Sequence, residues 1–597
     1  MAKKGKTAVV IGSGAGGSMV ARVLSKSHHF DTVTVLEKGP NYFQNLDHPD
    51  FSKVVTLFSN DEIKFGSRQG PQTSSDSLDN PDPLLDPRRF INPSTEPGFH
   101  VPNFVGEVNS LPQIVGGGLN HSDWKARRWR PADFRLKTLA EMFPADINIA
   151  GANAVDWPLS YDDLEPFYTL AEYIVGVQGP ASLPSPFAPS RSKPYPMPPG
   201  VPQYVALVLA KGANKVGLHP FQAPMGATSR PYHGRPVCND CGFDGGFGCP
   251  IGAKSSPAIT SLRDALMTGK TRLLPESYVY KLNLDGDRVA SVSYFDADGT
   301  SHELAADVFV IAGSAIESAR LCLFSGLSNP NIGRNLMFHF QTLAVGLISN
   351  PTMPFDDRLH PHRGRTVTNM FDDFTGPAEI NQYAGFKQPR GGTVELSGGQ
   401  PLISEAKLYL GPQGAPFRAA GLTPKQLMRL SPLREHLAAM TLQGEDLPQL
   451  TNRVQLDLGL KDVFGIPVAR ITYQNHPYEL NASTFYQSIM AEVLTAAGSI
   501  QTAFLGPTVF TSGGVPTSAH IMGTLRMGHD PANAVTDAGG KFHGIDNLYA
   551  ADGSLFPTSG GMNPSLTIMA LGYRVGCSII HPHNPLSVAK AIDHKLL

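Results

Sequence analysis

Two residues near the C-terminal end have side chains that suit proton transfer from a hydroxyl group. His520 begins the run His-Ile-Met-Gly, and Asn563 directly precedes Pro564. A neutral imidazole accepts a proton readily because its ordinary pKa, about 6.5, lies close to working pH. Proline suits the first turn of a helix, so Asn563 is predicted to cap a helix there. From their spacing alone, both residues are equally compatible with structural roles.

A glycine-rich turn near the N-terminus has the spacing of a dinucleotide-binding site. It follows the pattern GxGxxG between a predicted strand and a predicted helix. Such glycines permit a tight turn, a close approach to a pyrophosphate and close helix–strand packing. An acid, Glu37, follows the last glycine by 20 residues, where it would accept a hydrogen bond from a ribose hydroxyl. The motif alone does not separate NAD from FAD. The predicted cofactor contacts here are Gly12, Ser13, Gly14, Ala15, Gly17 and Glu37.

Three of the five cysteines lie within one short segment, at Cys238, Cys241 and Cys249. Thiolates this dense suit an iron–sulfur cluster, or zinc with His233 as a further ligand. A turn with free thiols or one disulfide is the alternative, and we predict that the segment is structural and binds no metal.

Short apolar runs predict the elements that position these residues. Residues 7–11, 32–36, 306–311 and 545–552 have the continuous apolar character of buried parallel strands. Residues 453–458 and 468–473 instead alternate between apolar and polar side chains, as strands with one solvent-exposed face do. Ser160 is predicted to cap a helix, with Asp163 three residues later. The pattern predicts an α/β fold: a doubly wound, Rossmann-like dinucleotide-binding domain with an α+β antiparallel-sheet substrate domain.

Length and composition indicate a globular protein with more than one core. The chain has 597 residues, of which 41% are hydrophobic and 17% charged, and a net charge of −2. This balance disfavours a nucleic-acid or anionic-membrane partner. There is no run of 18 apolar residues and no signal-like segment, so we expect a cytoplasmic protein without a membrane segment. Export together with a signal-bearing partner subunit stays open.

The predicted domains are discontinuous. The cofactor domain is predicted to comprise residues 1–45, 105–155, 230–340 and 505–597. The substrate domain is predicted to comprise residues 156–229 and 341–504. Residues 46–104, rich in Pro, Asp and Ser, are predicted to be a long loop or lid with little regular structure.

Several segments resemble the signatures of the glucose–methanol–choline (GMC) oxidoreductases. They are residues 520–528, 552–557 and 561–570, together with 115–121, 312–318 and 333–336. Within that family, residues 156–157, residues 161–166 and the Cys238 region look most like the gluconate and fructose dehydrogenase flavoprotein subunits. Residues 116–121 are also similar to pyranose oxidase and choline oxidase. The resemblance runs from residue 7 to about residue 576, and residues 345–450 match least.

The resemblance implies bound FAD and oxidation of an alcohol, and it favours an alcohol on a sugar, sugar acid or glycoside. It implies that His520 is the base, with the hydride passing to flavin N5, and that Asn563 holds the substrate oxygen. In some members the histidine at the position of His121 is bonded covalently to the flavin, and here that bond stays open. Further cofactor contacts implied by the resemblance are Gly116, Gly117, Asn120, His121, Val279, Asp552, Gly553 and Asn563.

Two other functions remain compatible with the same motifs. One is a hydroxynitrile lyase that keeps FAD without redox chemistry. The other is a flavoprotein subunit that relays electrons through an iron–sulfur cluster. Relatives with a cysteine-rich segment often carry a further cysteine where this chain has Asp244, which favours a structural loop here. The electron acceptor, whether oxygen, a quinone or a cytochrome, is not predicted.

Overall fold

The computed structural model describes residues 5–58, 87–94, 103–106, 108, 112–144, 147–182, 188–242, 245–348, 358–360, 363–375, 391–397, 421, 435–505 and 518–597. The strands of this part are β1 (Lys6–Ile11), β2 (Phe30–Leu36), β3 (Phe43–Gln44), β4 (Val55–Thr56), β5 (Arg88–Ile91), β6 (Phe104–Gly106), β7 (Phe221–Gln222), β8 (Thr271–Leu274), β9 (Tyr278–Asp285), β10 (Arg288–Phe295), β11 (Ser301–Ala305), β12 (Val308–Ile311), β13 (His339–Ile348), β14 (Asn369–Phe371), β15 (Gly392–Ser397), β16 (Leu437–Glu445), β17 (Arg453–Lys461), β18 (Pro467–Thr472), β19 (Ser499–Leu505) and β20 (Leu548–Ala550).

The helices of the described part are α1 (Ala15–Lys26), α2 (Leu136–Met142), α3 (Tyr161–Val175), α4 (Tyr204–Lys215), α5 (Arg263–Leu266), α6 (Ala315–Phe324), α7 (Pro477–Ala497), α8 (Ser565–Ile580) and α9 (Pro585–Asp593). Single 3-10 turns lie at Phe51–Lys53, Gly117–Asn120, Pro131–Phe134 and Gly553–Leu555, and a π turn lies at Ala258–Leu262.

A five-stranded parallel sheet, in the order β20-β12-β1-β2-β8, forms the first body of the protein. Four of its strands are the four apolar runs of the sequence, so those predictions are confirmed. Helix α1 packs against α8 in the core that this sheet shares with β9 and β10. Because all five strands run in parallel, their carboxyl ends meet at one edge, where open α/β sheets bind ligands.

A six-stranded antiparallel sheet, in the order β19-β13-β16-β15-β14-β7, forms the second body. Its inward side chains share one apolar core with helices α4 and α7, which pack against each other. The fold is therefore mixed α/β, with a doubly wound parallel sheet and an antiparallel sheet, as predicted.

A smaller four-stranded sheet, in the order β17-β18-β5-β6, packs on helix α6. Strands β17 and β18 are the two alternating runs of the sequence, so both strands are confirmed, and they pair antiparallel with each other. Strand β5 lies within the predicted lid and pairs in parallel with β18, opposite Arg470. Regular structure therefore occurs where the sequence predicts little, while residues 59–86 and 95–102 lie outside the described part.

The cap of helix α3 is confirmed. The backbone N–H of Asp163 donates to the Ser160 hydroxyl at 3.2 Å, and the Ser160 N–H donates to the Asp163 carboxylate at 2.8 Å. Among the described residues, no helix combines the length and the apolar character needed to cross a membrane. The boundaries of the two domains stay a prediction.

Candidate active site

The glycine turn lies between β1 and α1, where its glycines fill positions that a larger residue would not fit. Gly12 has a φ of +102°, and a Cβ there would lie 2.3 Å from the carbonyl oxygen of Ala312. A Cβ on Gly17 would lie 2.0 Å from the carbonyl oxygen of Gly12. A Cβ on Gly14 would instead meet only the Cα of Gly117, at 3.9 Å. The first and last glycines are therefore needed by the fold, whereas Gly14 borders open space.

Glu37 ties this turn to the loop that begins at Gly116. The N–H and hydroxyl of Ser13 donate to one oxygen of Glu37 at 2.9 and 2.6 Å. The Gly39 N–H donates to the other oxygen at 3.1 Å, and the Gly116 N–H donates to the Ser13 hydroxyl at 2.9 Å. Burial raises the pKa of Glu37, and the bonds from Ser13 oppose that rise. The contact of Glu37 with a ribose stays a prediction.

The loop from Gly116 to His121 is held by the side chain of Asn120. Its amide donates to the carbonyl oxygens of Val115 and Gly117 at 2.9 and 2.8 Å, and the Ser256 hydroxyl donates to its oxygen. Asn120 thus acts on the loop itself, which presents Gly117 to the glycine turn. His121 ends the loop and is 3% exposed.

The cysteine segment lies against His121. The Gly246 N–H donates to the carbonyl oxygen of His121 at 2.7 Å. The three cysteines of the segment are partly exposed and form no disulfide. Within the described residues, no group of three or more His, Cys, Asp or Glu side chains is placed to hold a metal ion. Asp244 lies outside the described residues.

Asp552 lies at the end of β20, next to the start of α1. Its carboxylate accepts from the Ser554 N–H at 2.9 Å and from the Ser318 hydroxyl at 2.5 Å, and burial raises its pKa. A Cβ on Gly16 would lie 1.4 Å from the carbonyl oxygen of Ala551, so the two segments touch. Gly553 begins the adjoining 3-10 turn, and Val279 is buried on β9.

These residues fit a dinucleotide cofactor. The first turn of α1 contains no acid, and no side chain of the described residues caps it. Its free N–H groups therefore suit a phosphate. The open space beside Gly14, at the carboxyl edge of the parallel sheet, would admit the pyrophosphate backbone contact that the motif predicts.

His520 and Asn563 lie together, although 43 residues separate them in the sequence. The Nδ2 of Asn563 is 3.4 Å from the Nε2 of His520. Asn563 does not cap α8, so that prediction is wrong: the helix begins at Ser565 after Pro564, and no side chain caps it. The Asn563 amide instead donates to Glu395 Oε1 at 3.1 Å. Its Oδ1 is buried and has no partner among the described residues.

Four further residues of this site were missed by sequence reasoning. His339 Nδ1 lies 2.9 Å from His520 Nδ1, and Lys125 Nζ lies 3.0 Å from Glu395 Oε2. Gln443 donates to Glu395 Oε2 at 3.2 Å. These residues lie on segments far apart in sequence, and no local motif marks them. The missed residues are Lys125, His339, Glu395 and Gln443.

Two backbone contacts bring the distant segments together. Met337 and Met522 exchange N–H···O bonds of 2.9 Å, which places His339 beside His520. The Thr393 N–H donates to the carbonyl oxygen of Gly561 at 3.1 Å, which places Asn563 beside β15. The site therefore lies where the antiparallel sheet meets the C-terminal segments that lead into α8.

Burial keeps both imidazoles neutral. It lowers the pKa of His339 to about 4. It also lowers the pKa of His520 well below its ordinary value, and the nearby His339 and Lys125 lower it further. Burial opposes the charge of Lys125, yet Asp123 and Glu395 raise its pKa above the ordinary value. Burial raises the pKa of Glu395, and Lys125 opposes that rise.

Comparisons with known proteins decide the family. Two family models, both described as GMC oxidoreductase, match residues 203–341 and 448–572. The 6'''-hydroxyparomomycin C oxidase of Streptomyces lividus is 30% identical over 479 residues, covering 78% of this chain and 78% of that protein. The chain belongs to the GMC oxidoreductase family.

Two further proteins match nearly the whole chain. The fructose dehydrogenase large subunit of Gluconobacter japonicus is 27% identical over 599 residues, covering 96% of this chain and 97% of that protein. The crystal structure of pyridoxine 4-oxidase from Mesorbium loti has the same fold, with a TM-score of 0.60 at 17% identity, covering 96% of this chain and 99% of that one. This GMC oxidoreductase is an enzyme that oxidises alcohols, and its family implies FAD as the cofactor.

Proposed function

We propose that this GMC oxidoreductase oxidises an alcohol group on a sugar, sugar acid or glycoside, with His520 as the base and Asn563 as the residue that holds the substrate oxygen. The observation that carries the proposal is the 3.4 Å pairing of the His520 imidazole with a buried amide whose oxygen has no partner among the described residues. FAD, when bound, supplies the acceptor for the hydride that leaves the alcohol carbon.

His520 acts on the hydroxyl proton. Its Nε2 faces Asn563, so an alcohol oxygen bound between the two side chains would lie within reach of both. The proton passes from the alcohol oxygen to Nε2 while the carbon loses its hydride, and an aldehyde or ketone results. Asn563 holds the same oxygen by a hydrogen bond throughout and orients the alcohol.

The buried polar side chains around the pair suit a substrate with several hydroxyl groups. Thr393 and Glu395 are two residues apart on β15, so their side chains lie on the same face of the sheet. Thr393 lies opposite Gln443 in the sheet register. All three side chains are buried, and the Thr393 hydroxyl has no partner among the described residues. Buried donors and acceptors favour a ligand that can satisfy them. The relatives named for fructose and for 6'''-hydroxyparomomycin C agree with this substrate class.

An anaerobic screen of sugars, sugar acids, glycosides and simple alcohols tests the proposal. We expect at least one polyhydroxylated substrate to bleach the bound flavin, because substrate oxidation must reduce it. Admitting air afterwards separates an oxidase, which recolours quickly, from a dehydrogenase, which stays bleached until a dye accepts its electrons. If no alcohol bleaches the flavin and a cyanohydrin is cleaved, the enzyme is a hydroxynitrile lyase and the proposal is wrong.

A further inference from the structure

We propose that His339 is a positioning residue that fixes the tautomer of His520, so that the unprotonated nitrogen of His520 is Nε2, the one that faces Asn563. This inference rests on the proposed function, because the tautomer matters only if His520 is the base. Ser559, His339, His520, Asn563 and Glu395 form a row of successive polar contacts. The geometry around the two imidazoles determines the direction of each hydrogen bond in this row.

The row begins at a group that only accepts hydrogen bonds. The Nε2 of His339 lies 3.0 Å from the carbonyl oxygen of Ser559, so His339 must carry its proton on Nε2. A neutral imidazole has one proton, and burial keeps His339 neutral by lowering its pKa to about 4. The Nδ1 of His339 is therefore an acceptor.

The next bond follows from the first. The two Nδ1 atoms are 2.9 Å apart, so one of them must carry a proton, and His339 has none there. His520 Nδ1–H therefore donates to His339. Because burial also keeps His520 neutral, its Nε2 holds a lone pair. This is the arrangement that a general base needs.

The opposite end of the row gives the same direction independently. Glu395 Oε1 accepts from the Asn563 amide at 3.1 Å, and Lys125 and Gln443 bind its other oxygen at 3.0 and 3.2 Å. This contact fixes the NH2 group of Asn563, rather than its oxygen, on the side of His520 Nε2. Because the NH2 group of Asn563 can only donate a hydrogen bond, the Nε2 of His520 that it faces is the acceptor.

A backbone clamp holds His339 in place. The carboxylate of Asp446 accepts from the N–H groups of Phe338 and Phe340 at 2.7 and 2.8 Å, on either side of His339. The Ser559 hydroxyl donates to the carbonyl oxygen of Asp446 at 2.9 Å, which fixes the acceptor of His339 as well. His339 itself is fully buried. It is thus placed to orient His520 and not to touch a substrate.

Few charged groups face this row. Lys125, paired with Glu395 and Asp123, lowers the pKa of His520, and the Asp133 carboxylate opposes the fall in the pKa of His339. None of the four ring nitrogens of His339 and His520 contacts a carboxylate among the described residues. The orientation of His520 is therefore set by His339 and by Asn563.

The test compares His339→Leu, which removes the acceptor, with His339→Gln, whose amide oxygen restores one. With a substrate from the screen, we expect His339→Leu holoenzyme to lose at least about tenfold in the limiting rate of anaerobic flavin reduction, since the wrong tautomer of a catalytic imidazole costs up to about 10⁴. Its apparent substrate affinity should change little, because His339 does not contact the substrate. We expect His339→Gln to recover most of the rate.

A merely structural role for His339 would lower the FAD content of both variants and would not separate rate from affinity. If His339→Leu reduces its flavin as fast as the wild type while His520→Ala is impaired, the inference is wrong and the proposed function stands. If His520→Ala is itself unimpaired, the proposed function fails.

A spectroscopic measurement decides the tautomer without any variant activity. We would record ¹⁵N spectra of wild-type holoenzyme labelled at the histidine ring nitrogens, and assign His520 by comparison with His520→Gln. We expect the His520 signals to show a protonated Nδ1 and an unprotonated Nε2. A protonated Nε2 would overturn the inference even if the His339→Leu protein does not fold.

Discussion

Burial and neighbouring charge together set the protonation state of His520. Desolvation penalises the imidazolium, and the positive charge of Lys125 penalises it further, so the pKa lies well below 6.5. A base must be unprotonated to accept a proton, and a lowered pKa keeps it so in more acid solution. The cost of the lowered pKa is that His520 is a weaker base.

The pH dependence of flavin reduction follows from this shift. We expect the limiting anaerobic rate to be level above pH 6.5 and to fall only well below it, because protonation of His520 then removes the base. Lys125→Met should move that fall to higher pH, since removing the positive charge raises the pKa of His520. Rapid mixing over a pH series measures both profiles.

The exposed Lys211 offers a matched control. Lys211→Met removes the same charge at the surface and should leave the profile unchanged. A wild-type midpoint at or above pH 6.5 would contradict the account of the His520 environment.

At the scale of elements, the glycines of the turn between β1 and α1 have different roles. Gly17 lets α1 pack on the end of β1, since a Cβ there would meet a backbone carbonyl at 2.0 Å. Gly14 meets no such obstacle, with its nearest neighbour at 3.9 Å. Because Gly14 has no side chain, space is left beside the N-terminus of α1, where the cofactor pyrophosphate is proposed to lie.

Alanine at each of these glycines separates folding from cofactor binding. We expect Gly14→Ala to fold with a wild-type circular dichroism spectrum but to hold FAD at least about tenfold more weakly, because the methyl group fills the pyrophosphate space. We expect Gly17→Ala to lose about 1–3 kcal/mol or more of stability through overpacking. Flavin absorbance per chain and thermal unfolding measure the two effects. Gly14→Ala protein that keeps full FAD affinity would show that the cofactor lies elsewhere.

The elements themselves were predictable where one local signal dominates. Strands β1, β2, β12 and β20 are short apolar runs because both faces of a parallel sheet are buried. Strand β5 was missed because its residues, Arg88–Ile91, begin with two charges, and only the distant partner β18 makes them a strand. The cap at Ser160 was predicted from a local pattern, whereas Asn563 was misassigned because Glu395, remote in sequence, holds its amide.

At the scale of the whole molecule, the site is assembled from segments that only the fold brings together. The glycine turn lies on the parallel sheet, while Glu395 and Gln443 lie on the antiparallel sheet. His520 and Asn563 reach that second sheet from the C-terminal part of the chain, whose strand β20 belongs to the first. One chain thus brings the His520–Asn563 pair, of which Asn563 lies just before helix α8 of the first body, against the sheet of the second body. The family motifs identified the pair, but its buried partners required the tertiary structure.

The most direct test of the account is the rate at which His520→Ala holoenzyme reduces its flavin anaerobically with a good substrate. We expect a loss of at least about 10² relative to wild type, with the FAD content unchanged, because a general base contributes about 10²–10⁴. Asn563→Ala should lose less, and His529→Ala, at an exposed histidine nearby in sequence, should match the wild type. Reduction of His520→Ala at near wild-type speed would contradict the assignment of His520 as the base.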